Sequence, residues 1–200
     1  MNIYLIRHGR SEDHEKGLTQ TLDTSLSKSG RQELENLKKS VYNKIKFDVI
    51  YHSPQTRAKQ TAKILFPQHK IKQLDYIYEY RKPTRLHGID KKISDQYWQE
   101  NSKNKYDPNW QPEDGESFNQ ILGRARRLVK LLENNEHNTI GIVGHGLFFK
   151  HLVGCWMIKE NYIPKIYFEK RTKQSLDNGE CVLLNYNKKS CKISLRSFNN

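Results

Sequence analysis

The sequence predicts an α/β fold of three layers, a mostly parallel central sheet flanked by helices. Two short apolar runs, residues 3–6 and 139–143, each end abruptly at a histidine beside glycine, as buried strands opening into loops do. Other segments carry apolar residues at intervals of three and four, the spacing of amphipathic helices. Strand-like and helix-like segments alternate through most of the 200 residues, which points to the α/β class.

The elements follow in order. Residues 3–6 form a strand that stops at Arg7-His8-Gly9, and the polar residues 10–26 form a loop. Ser27 is placed to cap a helix with Leu34, Leu37, Val41 and Ile45 along one face. Residues 47–51 make the next strand. Ser53-Pro54 reads as an N-cap with proline at the first helical position, opening a helix that carries Ala58, Ala62 and Leu65 and stops before Pro67. Residues 71–76 give another strand. From Arg81 to Glu116 prolines and glycines break the periodicity, and Tyr97, Trp98, Tyr106 and Trp110 are interspersed. A stretch that long predicts a cap or lid, taken as residues 80–115, with short helices inside it. The clearest helix carries Phe118, Ile121, Leu122, Ala125, Leu128, Val129 and Leu132. After the strand at 139–143 come a helix from Leu147 to about Met157 and a hairpin of 181–186 with 192–196. With no repeat or linker, one domain over 1–200 is expected.

Composition narrows the function. The net charge is +13, with 35% hydrophobic, 10% aromatic and 28% charged residues, a profile of a folded soluble domain. No apolar run approaches the ~18 residues of a membrane helix, and residues 3–6 are too short for the apolar core of a signal peptide. Three cysteines without CxxC spacing indicate neither a disulfide framework nor a structural zinc site, so a cytoplasmic setting is expected. The positive charge fits a nucleic-acid binder, an anion-handling enzyme or a lysine-rich surface. No basic run exceeds two residues, which disfavours nucleic acid, although residues 57–105 hold twelve basic against five acidic residues.

In open α/β sheets ligands bind beyond the carboxyl ends of the strands. His8 and His145 both emerge there, beside Gly9 and Gly146, and Arg57 sits in the first turns of a helix on the same edge. A histidine at a strand end is commonly structural, and an arginine on a helix commonly faces water. Together with Arg7 these groups make a pocket for a dianion such as a phosphoryl group.

These residues resemble the histidine phosphatase superfamily, the phosphoglycerate mutase-like proteins. Arg7-His8-Gly9 with Ser11 is similar to its amino-terminal RHG-x-[ST] signature, and residues 53–62 (SPQTRAKQTA) to its SP-x-x-RA-x-QTA segment. Gly115-Glu116-Ser117 and Val143-Gly144-His145-Gly146 match its later tracts, and the segment with Asn178 resembles its last strands. The resemblance implies that His8 is a nucleophile forming phosphohistidine, and that Arg7, Arg57 and His145 hold the phosphoryl oxygens, with Gly146 beside them. It places the acid for the leaving oxygen at Glu79, with Asp75 next in line and pairing of Glu79 with Arg81 or Lys82 as the plain alternative. Arg10 and His14 stand where the family often has Glu and Asn, which leaves the phosphate role of His14 open. His52 reads as a strand-end residue, and a zinc site from His8, His52 and His145 lacks matching ligands. The implied function is a metal-independent phosphomonoester hydrolase acting on a small phosphorylated metabolite, without cofactor, nucleic acid or membrane. A mutase-type phosphoryl transferase and a non-catalytic anion or nucleic-acid binder are the alternatives. Arg81, Lys82 and Arg85 are expected to select the substrate, Trp98 or Trp110 are candidates for an interface, and the oligomeric state is not legible.

Overall fold

The computed structural model describes residues 1–169, 177–190 and 192–197. In chain order the main elements are strand β1 (Asn2–Arg7), the one-turn helix α1 (Glu12–Glu15), α2 (Lys28–Ser40), β2 (Val49–His52), α3 (Thr56–Leu65) and β3 (Ile71–Gln73). They continue with α4 (Lys91–Glu100), α5 (Phe118–Glu133), β4 (Thr139–Gly144), α6 (Gly146–Ile158), α7 (Pro164–Glu169), β5 (Cys181–Asn187) and β6 (Lys192–Ser197).

The six strands form one sheet in the order β3-β2-β4-β1-β5-β6. β3, β2, β4 and β1 run parallel, and β5 and β6 add an antiparallel pair at the far edge. Because side chains alternate along a strand, Ile3 and Leu5 of β1 face one side while Tyr4 and Ile6 face the other. Ile3 and Leu5 join Val49, Ile140 and Ile142 against Ile121, Leu128 and Leu152 of α5 and α6. Tyr4 and Ile6 join Ile50 and Val143 against Leu34 of α2 and Ala58 and Ala62 of α3. Helices thus cover both faces, and the three-layer prediction holds.

Local chemistry explains most boundaries. The Ser27 hydroxyl accepts the Gly30 N–H at 3.0 Å and starts α2. At α5, Ser117 and Gln120 form a reciprocal capping box. Three expectations are corrected. Helix α3 starts at Thr56 after Gln55, not at the Ser53-Pro54 cap: the Ser53 hydroxyl accepts the Gln55 N–H at 3.3 Å, ahead of the helix, and also pairs with His145. β3 ends at Gln73 rather than residue 76: its partner β2 ends at His52, so the ladder has nothing further to pair with. The loop at 10–26 contains α1, whose N-cap is Ser11.

The strand termini define the site's floor. Arg7 of β1 lies opposite Gly144 of β4, and His52 of β2 lies opposite Val143. The His8 N–H then donates to the Gly144 carbonyl at 3.0 Å, and the Ser53 N–H to the Val143 carbonyl at 2.9 Å. Residues 81–116 carry α4 and two short 3₁₀ turns. This segment is tied to residues 17–21: Thr19 N–H donates to the Ile89 carbonyl and Gly88 N–H to the Thr19 carbonyl. Trp98 and Trp110 pack edge to face with ring centroids 6.3 Å apart, and Trp98 also contacts Tyr80 and Tyr97, so both indoles are engaged within the fold.

Candidate active site

His8 and His145 lie side by side beyond the ends of β1 and β4, with ring centroids 5.2 Å apart and both side chains buried. The Nδ1–H of His8 donates to the Gly9 carbonyl at 2.8 Å. That bond fixes the tautomer and leaves a lone pair on Nε2. Arg57 approaches this atom from the side, its Nε–H donating to His8 Nε2 at 3.3 Å. Burial, then the positive charges of Arg57 and Arg7 and the neighbouring His14, push the His8 pKa well below the ordinary imidazole range. The ring is therefore neutral at physiological pH.

Arg57 is buried and held by three contacts. Besides His8, its Nη1–H donates to the Thr21 carbonyl at 2.9 Å and its Nη2–H to Gln55 Oε1 at 3.3 Å. Burial lowers its pKa to about 10, which still leaves the guanidinium charged. The same helix holds the loop after His8: Thr61 Oγ1 accepts the Gly9 N–H at 3.0 Å and donates to the Arg57 carbonyl at 2.7 Å.

Burial, then Arg57, His8 and Arg7, keep His145 neutral as well. Its Nε2 lies 2.7 Å from Ser53 Oγ, while Nδ1 is buried with no hydrogen-bond partner among the described residues. Such an orphan costs free energy until a ligand supplies a partner. His14 stacks near His8 at 5.8 Å between centroids, and its Nδ1 lies 3.3 Å from Asn178 Nδ2. Burial and the Arg7 and Arg57 charges lower the His14 pKa to about 4, so it too is neutral near pH 7. With Asn178 donating to Nδ1, its proton sits on Nε2.

Beside Arg7, His14 and Arg57 opens a cavity of about 290 Å³ whose walls also include Glu79 and Gly146. Glu79 sits at the amino end of α6. Its Oε1 accepts the Phe148 N–H at 3.0 Å and the Tyr80 N–H at 2.9 Å, and its Oε2 the Leu147 N–H at 3.3 Å. The helix end is thus capped by a carboxylate, a favourable place for negative charge. Asp75, the other candidate acid, is bonded to Gln73 and is absent from the cavity wall.

Arg81 and Lys82 line the same cavity, and so do His87, Lys91 and Lys150. Arg85 does not. Its guanidinium forks onto Glu113 at 2.7–3.0 Å and lies over the Tyr97 ring, away from the pocket. An acidic partner 28 positions along the chain is invisible to local reading. His52 bonds the Ser53 carbonyl through Nδ1 at 2.8 Å and stays at the strand end. Gln55 is a residue the sequence does not single out: its Oε1 accepts from both Arg57 and the Glu79 backbone N–H, joining the start of α3 to the segment of Glu79. Its place in the SP-x-x-RA segment is the only trace of this in the sequence. Among the described residues no cluster of histidine, cysteine and carboxylate side chains forms a metal cage, and no helix is long and apolar enough to cross a membrane.

The family model described as histidine phosphatase superfamily (branch 1) matches residues 3–198. A protein of Schizosaccharomyces pombe (strain 972), named a probable phosphatase, is 27% identical over 166 residues, covering 74% of this chain and 54% of that protein. The match thus takes in about half the length of that relative. Among solved structures, the alpha-ribazole phosphatase of Shigella flexneri superposes with a TM-score of 0.80 at 22% identity, covering 100% of this chain and 96% of that one. A phosphoserine phosphatase mutant of Entamoeba histolytica in complex with phosphoserine gives a TM-score of 0.77 at 24% identity, covering 99% and 96%. At these identities the likeness to solved structures is one of fold.

Proposed function

The chain belongs to the histidine phosphatase superfamily, branch 1, and on that premise we propose that it hydrolyses phosphomonoesters of small metabolites through a phosphohistidine on His8. The observation that carries this reading is the state of His8: neutral, with Nδ1 committed to Gly9 and the Nε2 lone pair turned to Arg57, a residue of the cavity wall. Nε2 attacks phosphorus in line, and the bond from phosphorus to the leaving oxygen breaks. Glu79 gives its proton to that oxygen, and the α6 N–H groups take up the negative charge that remains on the carboxylate. In the second half Glu79 takes a proton from water, the hydroxyl attacks the phosphohistidine, and phosphate leaves with His8 restored.

Arg7 and Arg57 hold the phosphoryl oxygens, and a Ser53 hydroxyl donating to His145 Nε2 leaves Nδ1–H of His145 to donate to another. The His14 Nε2–H takes the part of a neutral amide. With donors and cations already supplying the charge stabilisation, the reaction calls for no metal ion. The wall formed by residues 80–115 sets the substrate. Lys82 is drawn into it without a hydrogen bond or ion pair among the described residues, and burial lowers its pKa. A second anionic group on the substrate would meet this cation.

A rapid-quench experiment tests the mechanism. Enzyme mixed with a phosphomonoester should carry base-stable, acid-labile phosphate, and His8→Ala should lose both this label and hydrolysis. A substrate panel including 3-phosphoglycerate, with product analysis, separates hydrolysis from mutase transfer. Full hydrolysis by His8→Ala would sink the reading.

A further inference from the structure

Residues 74–83, which carry Glu79, have neither helix nor ladder, so their backbone groups need partners from elsewhere. Arg124 of α5 supplies two of them. Its Nη1–H groups donate to the Tyr76 and Tyr78 carbonyls, each at 2.9 Å, and its guanidinium lies 3.7 Å from the centre of the Tyr78 ring. The same fork grips Glu116, with Nε to Oε1 at 2.7 Å and Nη2 to Oε2 at 2.6 Å. Glu116 in turn accepts the Arg81 N–H at 3.3 Å. The Glu116 side chain is 1% exposed and that of Arg124 11%, so the pair is shut away from water.

Contacts therefore reach positions 76, 78 and 81, bracketing Glu79, while the carboxylate itself is docked on α6. A buried ion pair adds little stability over an apolar replacement of the same shape. Its consequence here lies in what it fixes. We propose that Arg124 and Glu116 are positioning residues for Glu79: together they clamp the irregular strap at 76–81 so that its carboxylate stays at the amino end of α6, facing the cavity. Neither side chain lines the cavity, and among the described residues neither hydrogen-bonds His8 or His145, although the Arg124 charge is one of those that lower the His145 pKa. The proposal rests on the reading of Glu79 as the acid for the leaving group.

The test compares kcat/KM, which reports the steps up to departure of the leaving group and not the later attack of water, on β-glycerophosphate, which needs an acid, and on p-nitrophenyl phosphate, which scarcely does. Arg124→Met and Glu116→Gln should each lower kcat/KM on β-glycerophosphate by about 10-fold to 10²-fold, as misplacement of a catalytic group does. On p-nitrophenyl phosphate the change should stay within about 3-fold, since general-acid help is what is lost. Added to Glu79→Gln, neither should cost anything further on β-glycerophosphate, because residues acting as a unit are not additive. Arg124→Lys keeps the charge without the fork and should show the same selectivity even if the methionine variant fails to fold. Equal losses on both substrates, or losses that add to those of Glu79→Gln, overturn the positioning role. If Glu79→Gln shows the leaving-group dependence and the other variants do not, this proposal alone falls. If Glu79→Gln lacks the dependence, the acid assignment falls first and takes the proposal with it.

Discussion

The Arg57 Nε–H points at the Nε2 of His8 across 3.3 Å, so the lone pair of that nitrogen is held against a buried positive charge. The contact has two effects. It disfavours a proton on His8 Nε2, and in the proposed reaction it sets a donor beside the oxygens of the phosphoryl group. Arg57 can do this because α3 starts right after β2, and because Thr21 and Gln55 hold its other nitrogens.

The pH dependence of turnover should reflect that contact. The His8 pKa is pushed far below 6.5, first by burial and then by Arg57 and Arg7. The neutral nucleophile therefore persists as pH falls. Measured at saturating substrate, kcat should change by less than about 2-fold between pH 7 and pH 5.5, whereas an unperturbed imidazole would lose most of its neutral form over that range. A decline centred near pH 6.5 would contradict the neutral, buried His8.

Much of this site is legible in the sequence because it is built from short-range patterns. The strands that deliver His8 and His145 are recognisable as apolar runs, and the helix that carries Arg57 by its spacing. What escapes is whatever depends on distant partners. Ser53 reads as a helix cap, yet its hydroxyl is 2.7 Å from a histidine 92 positions away. Arg85 reads as a substrate contact, yet Glu113 takes its guanidinium. Helix α4 falls within the stretch expected to hold short helices, but its bounds are not legible, because only Ser94 and Tyr97 of it are buried. Arg124 looks like one of several basic residues on an amphipathic helix until the strap at 76–81 is laid beside it.

His14 gives a second prediction. With a pKa near 4 it donates as a neutral imidazole, and an amide can do the same. His14→Asn should keep kcat/KM within about 3-fold, while His14→Leu, which lacks a donor, should lose about 10-fold, the scale of one hydrogen bond to a charged group. Steady-state kinetics on p-nitrophenyl phosphate decide it. Equal activity of the leucine variant and the wild type would remove His14 from the phosphate site.

Stability should fall with acidity below neutrality. His151 is buried against Tyr162 and Tyr167, and burial, followed by Arg124 and Lys150, lowers its pKa to about 3. Between its unfolded value near 6.5 and about 3, the unfolded chain binds a proton that the native protein refuses, so falling pH favours unfolding. Each such group removes up to about 1.4 kcal/mol per pH unit in that window. His8, His14, His52, His87 and His145 are shifted the same way and add to the trend. Urea midpoints should drop from pH 7 to pH 5, and drop less in His151→Phe. An unchanged slope in that variant would show that His151 does not contribute.

Two glycine substitutions should move stability in opposite directions. Gly30 lies in the first turn of α2, where the helix presses on the turn after Arg7-His8-Gly9, and an added Cβ would stand 2.2 Å from the Arg10 carbonyl oxygen. That oxygen is backbone and already accepts the Ser27 N–H at 3.0 Å, so it cannot swing aside. Gly30→Ala should cost about 1–3 kcal/mol, as overpacking does, and should lower kcat because the displaced turn carries His8. Gly123 lies on the exposed face of α5, where a Cβ meets nothing within 4 Å. Gly123→Ala should therefore gain about 1 kcal/mol from helix propensity alone and leave kcat unchanged. In thermal melts of a chain this size the two variants should separate by about 4–16 °C, at 2–4 °C per kcal/mol. A Gly30→Ala protein as stable and active as wild type would mean that α2 can move away from the nucleophile turn without disturbing it.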